Sequence, residues 1–109
     1  MKLTEHFTLE EFTYSRKASV LGIDNTPTKQ HTANLKALCT HTLELIRKKW
    51  GGPVVVTSGY RSEALNAATD GASKTSQHKK GEAADIRPLD GRNKEFFEMI
   101  KNSPDIPFD

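Results

Sequence analysis

His78 and Asp85 are the pair of side chains in this sequence best suited to hold a metal ion. A neutral imidazole and a carboxylate are both acceptable ligands for Zn²⁺. Their spacing of seven is workable. His78 leaves a loop, Gly81 lets the chain turn without hindrance from a Cβ, and the small Ala83 and Ala84 allow close approach on the strand bearing Asp85. A histidine and an aspartate at this spacing also arise by chance, so their neighbours carry the weight. Arg61 stands just past the end of an apolar strand, in Ser58-Gly59-Tyr60-Arg61-Ser62. A guanidinium there can aim a planar pair of donors at a carboxylate, or at an oxygen gaining negative charge. The plainer alternative is a surface arginine at a tight turn. Ser76 and Gln77 precede His78 and can hydrogen-bond a peptide, or simply face water. Glu82 is the carboxylate nearest to this block, and nothing in the pattern gives it a role.

The elements that must position these groups follow from periodicity. Thr8 and Glu11 have the spacing of a capping box for a short helix over 9–15. A loop is expected at 20–27, closed by Pro27. Leu35, Leu38, Thr42 and Leu45 recur at helical steps, widened by Leu43, Ile46 and Trp50, and predict a helix over 28–50 that Gly51-Gly52-Pro53 stops. His31 and His41, ten residues apart, do not share a face, so both read as solvated or satisfied histidines. The β-branched run 53–58 predicts a buried strand. Ser62 caps a short helix through Ala67, and the polar stretch 69–77 is a loop. A second strand is expected over 83–87, stopped by Pro88. A last helix spans 93–102 with Phe96, Phe97 and Ile100 on one face, and Phe108-Asp109 reads as another strand opening. Helices first, then strand, helix, strand and helix, predict an α+β domain in which N-terminal helices pack on a small antiparallel or mixed sheet.

Composition narrows the function classes. The 109 residues suffice for one domain. Sixteen Lys and Arg against fourteen Asp and Glu leave a net charge of +2, which argues against a dedicated nucleic-acid binder. The 23 Leu, Ile, Val and Phe residues make a thin core, to which a metal ion would be a useful tie. The single cysteine, Cys39, excludes an internal disulfide and sits in a helical pattern where a buried, inert thiol is expected. No run approaches the ~18 apolar residues of a membrane span. The opening MKLTEHFTLEEF has no apolar signal region, so the chain reads as made in the cytoplasm.

Taken together, SGYRS and SQHKKGEAADI resemble the zinc D-Ala-D-Ala carboxypeptidase group, whose fold is shared with the vancomycin-resistance D,D-dipeptidases and the hedgehog signalling domain. The block Ser-x-His-x-x-Gly-x-Ala-x-Asp of that group stands intact as Ser76, His78, Gly81, Ala83 and Asp85. The TLEEF opening and the early helices are similar to its short, phage- or prophage-encoded members, so the resemblance covers most of the chain. It implies a hedgehog/D,D-peptidase-like α+β fold, with residues 1–109 as a single peptidase domain. It also implies zinc held by His78 and Asp85 as two of three protein ligands. Arg61 would be the catalytic cation, steadying the scissile carbonyl oxygen or holding the substrate carboxylate, and Tyr60, Ser76 and Gln77 would contact substrate. The implied reaction is hydrolysis of peptidoglycan stem peptides next to D-alanine, at the cell wall, by zinc-activated water.

One departure bears on activity. In that group the third zinc ligand is a histidine on a later strand, preceded by an acidic general base, and no histidine follows Asp85 here. Pro107-Phe108-Asp109 matches the opening of that strand, so the expectation is a C-terminally incomplete domain with impaired activity. His6, or a histidine of a neighbouring molecule, is the other source of a third ligand. An uncovered sheet edge would favour weak self-association. A catalytically inactive module that binds peptidoglycan or a protein on the same fold is the alternative reading, since fold does not fix function. Carboxypeptidase, dipeptidase and endopeptidase cleavage share these motifs.

Overall fold

The computed structural model describes residues 1–69, 71–104 and 106. The first helix, α1 (Leu9–Thr13), turns Phe12 into the core and leaves Glu10 and Glu11 in solvent. The expected capping box does not form, because Thr8 makes no side-chain cap bond. The chain start folds back instead: Lys2 bridges Thr8, and the Leu9 N–H donates to the Met1 carbonyl at 2.8 Å. That bond satisfies the first of the helix's free N–H donors.

The loop expected at 20–27 begins later than the sequence suggests, because α2 (Arg16–Leu21) comes first. Ser15 caps it by accepting from the Ala18 N–H at 3.1 Å, and Gly22 at φ 68° ends it. Only Ala18 of this helix is buried, so no apolar stripe announces it. The long helical pattern is present as α3 (Lys29–Leu38) and α4 (Glu44–Trp50), joined by one π-helical turn, Cys39–Leu43. Leu35, Cys39, Leu43 and Ile46 all face inward across this junction. Burial, with lesser contributions from the Glu44 and Glu11 charges, pushes the Cys39 thiol up to about 12. It stays protonated and inert at neutral pH.

Strand β1 (Val54–Ser58) pairs antiparallel with β2 (Asp85–Pro88), in the register Val55↔Arg87 and Val56↔Ile86. β1 is half-buried rather than fully buried, and β2 starts two residues later than expected and includes Pro88. The register slips between Val56 and Ser58, so Thr57 is an extra residue opposite the start of β2. Its hydroxyl donates to the Asp85 carbonyl at 3.1 Å. Bulges of this kind re-aim a neighbouring side chain, and here the neighbour is Asp85.

Between the strands lie α5 (Glu63–Ala68), capped by Ser62, and a 3₁₀ turn, Gln77–Lys80. The last helix, α6 (Asn93–Lys101), buries Phe96 and Ile100, but Phe97 is half exposed. Successive helical residues lie about 100° apart, so Phe96 and Phe97 cannot both point at the core. Trp50 meets Phe96 edge-on at 5.2 Å and carries the Arg92 guanidinium over its face at 4.8 Å. The strand opening expected at 108–109 lies outside the described residues. Among those described, no helix is long and apolar enough to cross a membrane.

The N-terminal segment is tied to α4 through Glu44, which accepts from the His6 N–H at 2.8 Å and lies 2.6 Å from His6 Nδ1. Burial alone would raise the Glu44 pKa. The Thr4 hydroxyl and the His6 backbone and ring outweigh it and hold the carboxyl below its ordinary value. The ionised form is thus favoured by folding. Its contribution is fully present above the ordinary glutamate range and is lost as the pH falls through the lowered value. Glu44→Gln is expected to lower stability by about 1 kcal/mol at neutral pH. The gap between the two proteins should close near pH ~2, well below the ordinary glutamate value. Denaturant titrations of both proteins at the two pH values measure it, and a gap independent of pH would contradict this account.

Candidate functional site

The site is assembled where β1 leaves the sheet. Gly59 lies against the backbone of α1: a Cβ there would stand 2.7 Å from both the Phe12 Cα and its carbonyl oxygen. No other residue type fits so close an approach. The Tyr60 N–H donates to the Phe12 carbonyl at 2.7 Å and fixes the exit. Asn25, which no local pattern singles out, clamps the same segment. Its Nδ2 donates to the carbonyls of Thr13 and Tyr60, and its Oδ1 accepts from the Ser62 N–H at 2.7 Å.

Against this exit packs the turn Gln77–Lys80. The Arg61 N–H donates to the His78 carbonyl at 3.0 Å, and the His78 ring sends Nδ1 to within 2.7 Å of the Gly59 carbonyl. A carbonyl can only accept, so Nδ1 carries the proton and Nε2 of the neutral ring holds a lone pair. Gly81 closes the turn at φ 73°, with a Cβ position only 2.6 Å from the His31 carbonyl oxygen and 3.1 Å from Leu35 Cγ. Glycine is therefore required at position 81 twice over, by its conformation and by its contact with α3.

His78 Nε2 faces Asp85 Oδ2 at 3.7 Å. Two ligands at Zn–N and Zn–O distances near 2.0–2.2 Å in a tetrahedral arrangement stand about 3.3–3.5 Å apart. The observed pair is within a few tenths of an ångström of that, so the donor set fits zinc. The His78 side chain is 12% exposed and that of Asp85 65%, so a fixed imidazole meets a carboxylate open to solvent. Both line an open cleft of about 690 Å³, with Gln77, Glu82 and an apolar wall that includes Leu43, Phe97 and Ile100. Among the described residues no group of three His, Cys, Asp or Glu can hold a metal ion. His6, the N-terminal candidate for a third ligand, is engaged with Glu44 instead.

The other expected residues fall around this pair. The Ser76 hydroxyl caps the turn, accepting from the His78 N–H and from Arg61 Nη2, each at 3.2 Å. It thereby links the guanidinium to the imidazole-bearing turn. Arg61 lines a neighbouring cavity of about 360 Å³ together with Tyr14, Arg16 and Leu65, rather than the cleft itself. Its Nε is buried and has no partner among the described residues. Tyr60 is 6% exposed and does not reach the cleft. Its hydroxyl lies 3.2 Å from His31 Nδ1, and burial, aided by the Asp24 charge, raises its pKa. This contact satisfies His31, while His41 is exposed on the π-helical turn.

A family model described as Peptidase M15 matches residues 5–106. No curated protein and no solved structure matches the chain.

Proposed function

The chain belongs to the peptidase M15 family, and from that premise we propose that it is a zinc metallopeptidase hydrolysing peptidoglycan stem peptides next to D-alanine. The observation that carries this reading is the convergence of His78 Nε2 and Asp85 Oδ2 at 3.7 Å on the edge of a cleft large enough for a peptide. In this proposal His78 and Asp85 are two of the protein ligands, and a third comes from beyond the described residues or from a second molecule. Bound zinc supplies Lewis acidity toward the scissile carbonyl and activates water near neutral pH.

The chain's own groups do the rest. The Gly59 carbonyl holds the His78 tautomer and ring orientation, so the Nε2 lone pair keeps facing Asp85. Arg61, tethered through Nη2 to Ser76 and with Nε free, carries the positive charge that steadies an oxyanion or grips a substrate carboxylate. Gln77, exposed on the cleft rim, offers an amide to the peptide backbone. Protein stripped with a chelator is expected to lose hydrolysis of a peptide ending in D-Ala-D-Ala and to regain it with one equivalent of zinc per chain. Release of D-alanine that ignores chelation would overturn the proposal.

The second reading, an inactive module that binds peptidoglycan, is favoured by the lack of a third metal-holding group among the described residues. Retention on purified cell wall with no D-alanine released by the zinc-loaded protein would select it.

A further inference from the structure

The turn that carries His78 has two sides. Gln77 and His78 line the cleft with Asp85, whereas Ser76, Lys79 and Lys80 line a separate cavity of about 300 Å³ with Lys74, Glu63 and His31. Three ammonium groups face one carboxylate there, so the cavity is net positive. Lys79 is committed: its Nζ donates to the Lys74 carbonyl at 2.7 Å and to Glu63 at 3.3 Å. Glu63 is 88% exposed and turns that one negative charge largely to water. Lys74 and Lys80 make no side-chain hydrogen bond or ion pair among the described residues. The Arg61 guanidinium reaches the cavity wall from behind, through Ser76 Oγ at 3.2 Å. Like charges gathered on a concave surface repel one another until an anion enters.

We infer that this cavity is an anion-binding subsite that receives a carboxylate of the substrate peptide. The inference rests on the peptidase reading for the nature of that ligand. The geometry suits it, because cleft and cavity lie on the two sides of a single four-residue turn, and a helical turn with its side chains is about 10 Å across. Three residues of extended peptide span about 10 Å. A substrate with its scissile bond over His78 and Asp85 therefore reaches the lysines with an acidic side chain or with its own C-terminus. The site selects peptides by charge at a position removed from the bond that is cut.

A labelled tetrapeptide, Ala-Glu-Lys-D-Ala, is the probe. Its two comparators carry glutamine in place of glutamate, or a C-terminal amide. Binding is followed by fluorescence anisotropy at low ionic strength with chelator present, so neither metal nor turnover enters the readout. Failure of hydrolysis therefore leaves this test standing, and failure of this test leaves hydrolysis untouched. One of the two amidations is expected to weaken binding about fivefold, the size of two partly exposed charge pairs, and which one it is names the carboxylate. In Lys74→Gln/Lys80→Gln that penalty should fall below about twofold. Both lysines are exposed, so the double variant keeps the fold, which its unfolding transition checks. Equal binding of all three peptides, or a penalty that survives the double substitution, would overturn the inference.

Discussion

Replacing His78 with alanine is expected to abolish stoichiometric zinc binding and to lower peptide hydrolysis by at least about a thousandfold. Losing the partner that orients a ligand costs metal affinity or activity ~10–100-fold, and losing the ligand itself costs more. The effect on stability is much smaller. His78 is held to the fold by its Nδ1 bond to the Gly59 carbonyl, and its backbone bonds to Arg61 and Ser76 survive truncation of the ring. One lost side-chain hydrogen bond is worth about 1 kcal/mol. The contrast separates a ligand from a structural histidine. The variant should unfold close to the parent when both are metal-free, and should lack the upward shift in Tm that excess zinc gives the parent. Zinc content by atomic emission, D-alanine release and thermal scans of both proteins with and without zinc measure all of this. A variant that keeps its zinc, or its activity, would remove His78 from the centre.

Gly59→Ala carries the largest expected cost to the fold. The added methyl would stand 2.7 Å from two backbone atoms of Phe12 and 2.8 Å from its Cβ, and none of these is the far end of a flexible side chain. Either α1 or the exit of β1 must move. Overpacking of this kind costs about 3 kcal/mol, which for a domain of this size lowers Tm by roughly 10–20 °C. Gly52→Ala is the control, since its Cβ meets only the Trp50 ring at an ordinary 3.7 Å. The same displacement carries the Gly59 carbonyl away from His78, so zinc affinity should fall with stability, by about 10–100-fold. Equal melting temperatures for the two glycine variants would show that the close approach of α1 to β1 is not a constraint.

Family membership was the part most legible in the residues themselves. Ser76, His78, Gly81 and Asp85 lie within ten positions, and so short a segment leaves a turn and a strand start few ways to arrange themselves. Their types and order carry the resemblance to the family before any contact is known. The long helix, the two strands and the buried Cys39 were legible for a similar reason, because periodicity and β-branching act locally. Some features were not. The helix over Arg16–Leu21 buries one alanine and so leaves no pattern to read. The capping box at Thr8 does not form, and the chain start folds back on the helix through Met1 instead.

Tertiary structure alone decided which nitrogen of His78 is free, because the acceptor that fixes it, the Gly59 carbonyl, is nineteen residues away. It decided that Thr57 bulges opposite Asp85 and that Tyr60 turns inward to His31 rather than outward to the cleft. It also divided one short turn between the cleft that holds His78 and Asp85 and a basic cavity. Residue type sets what a side chain can do. Its partners are set by packing between segments distant in sequence, and no local pattern records them.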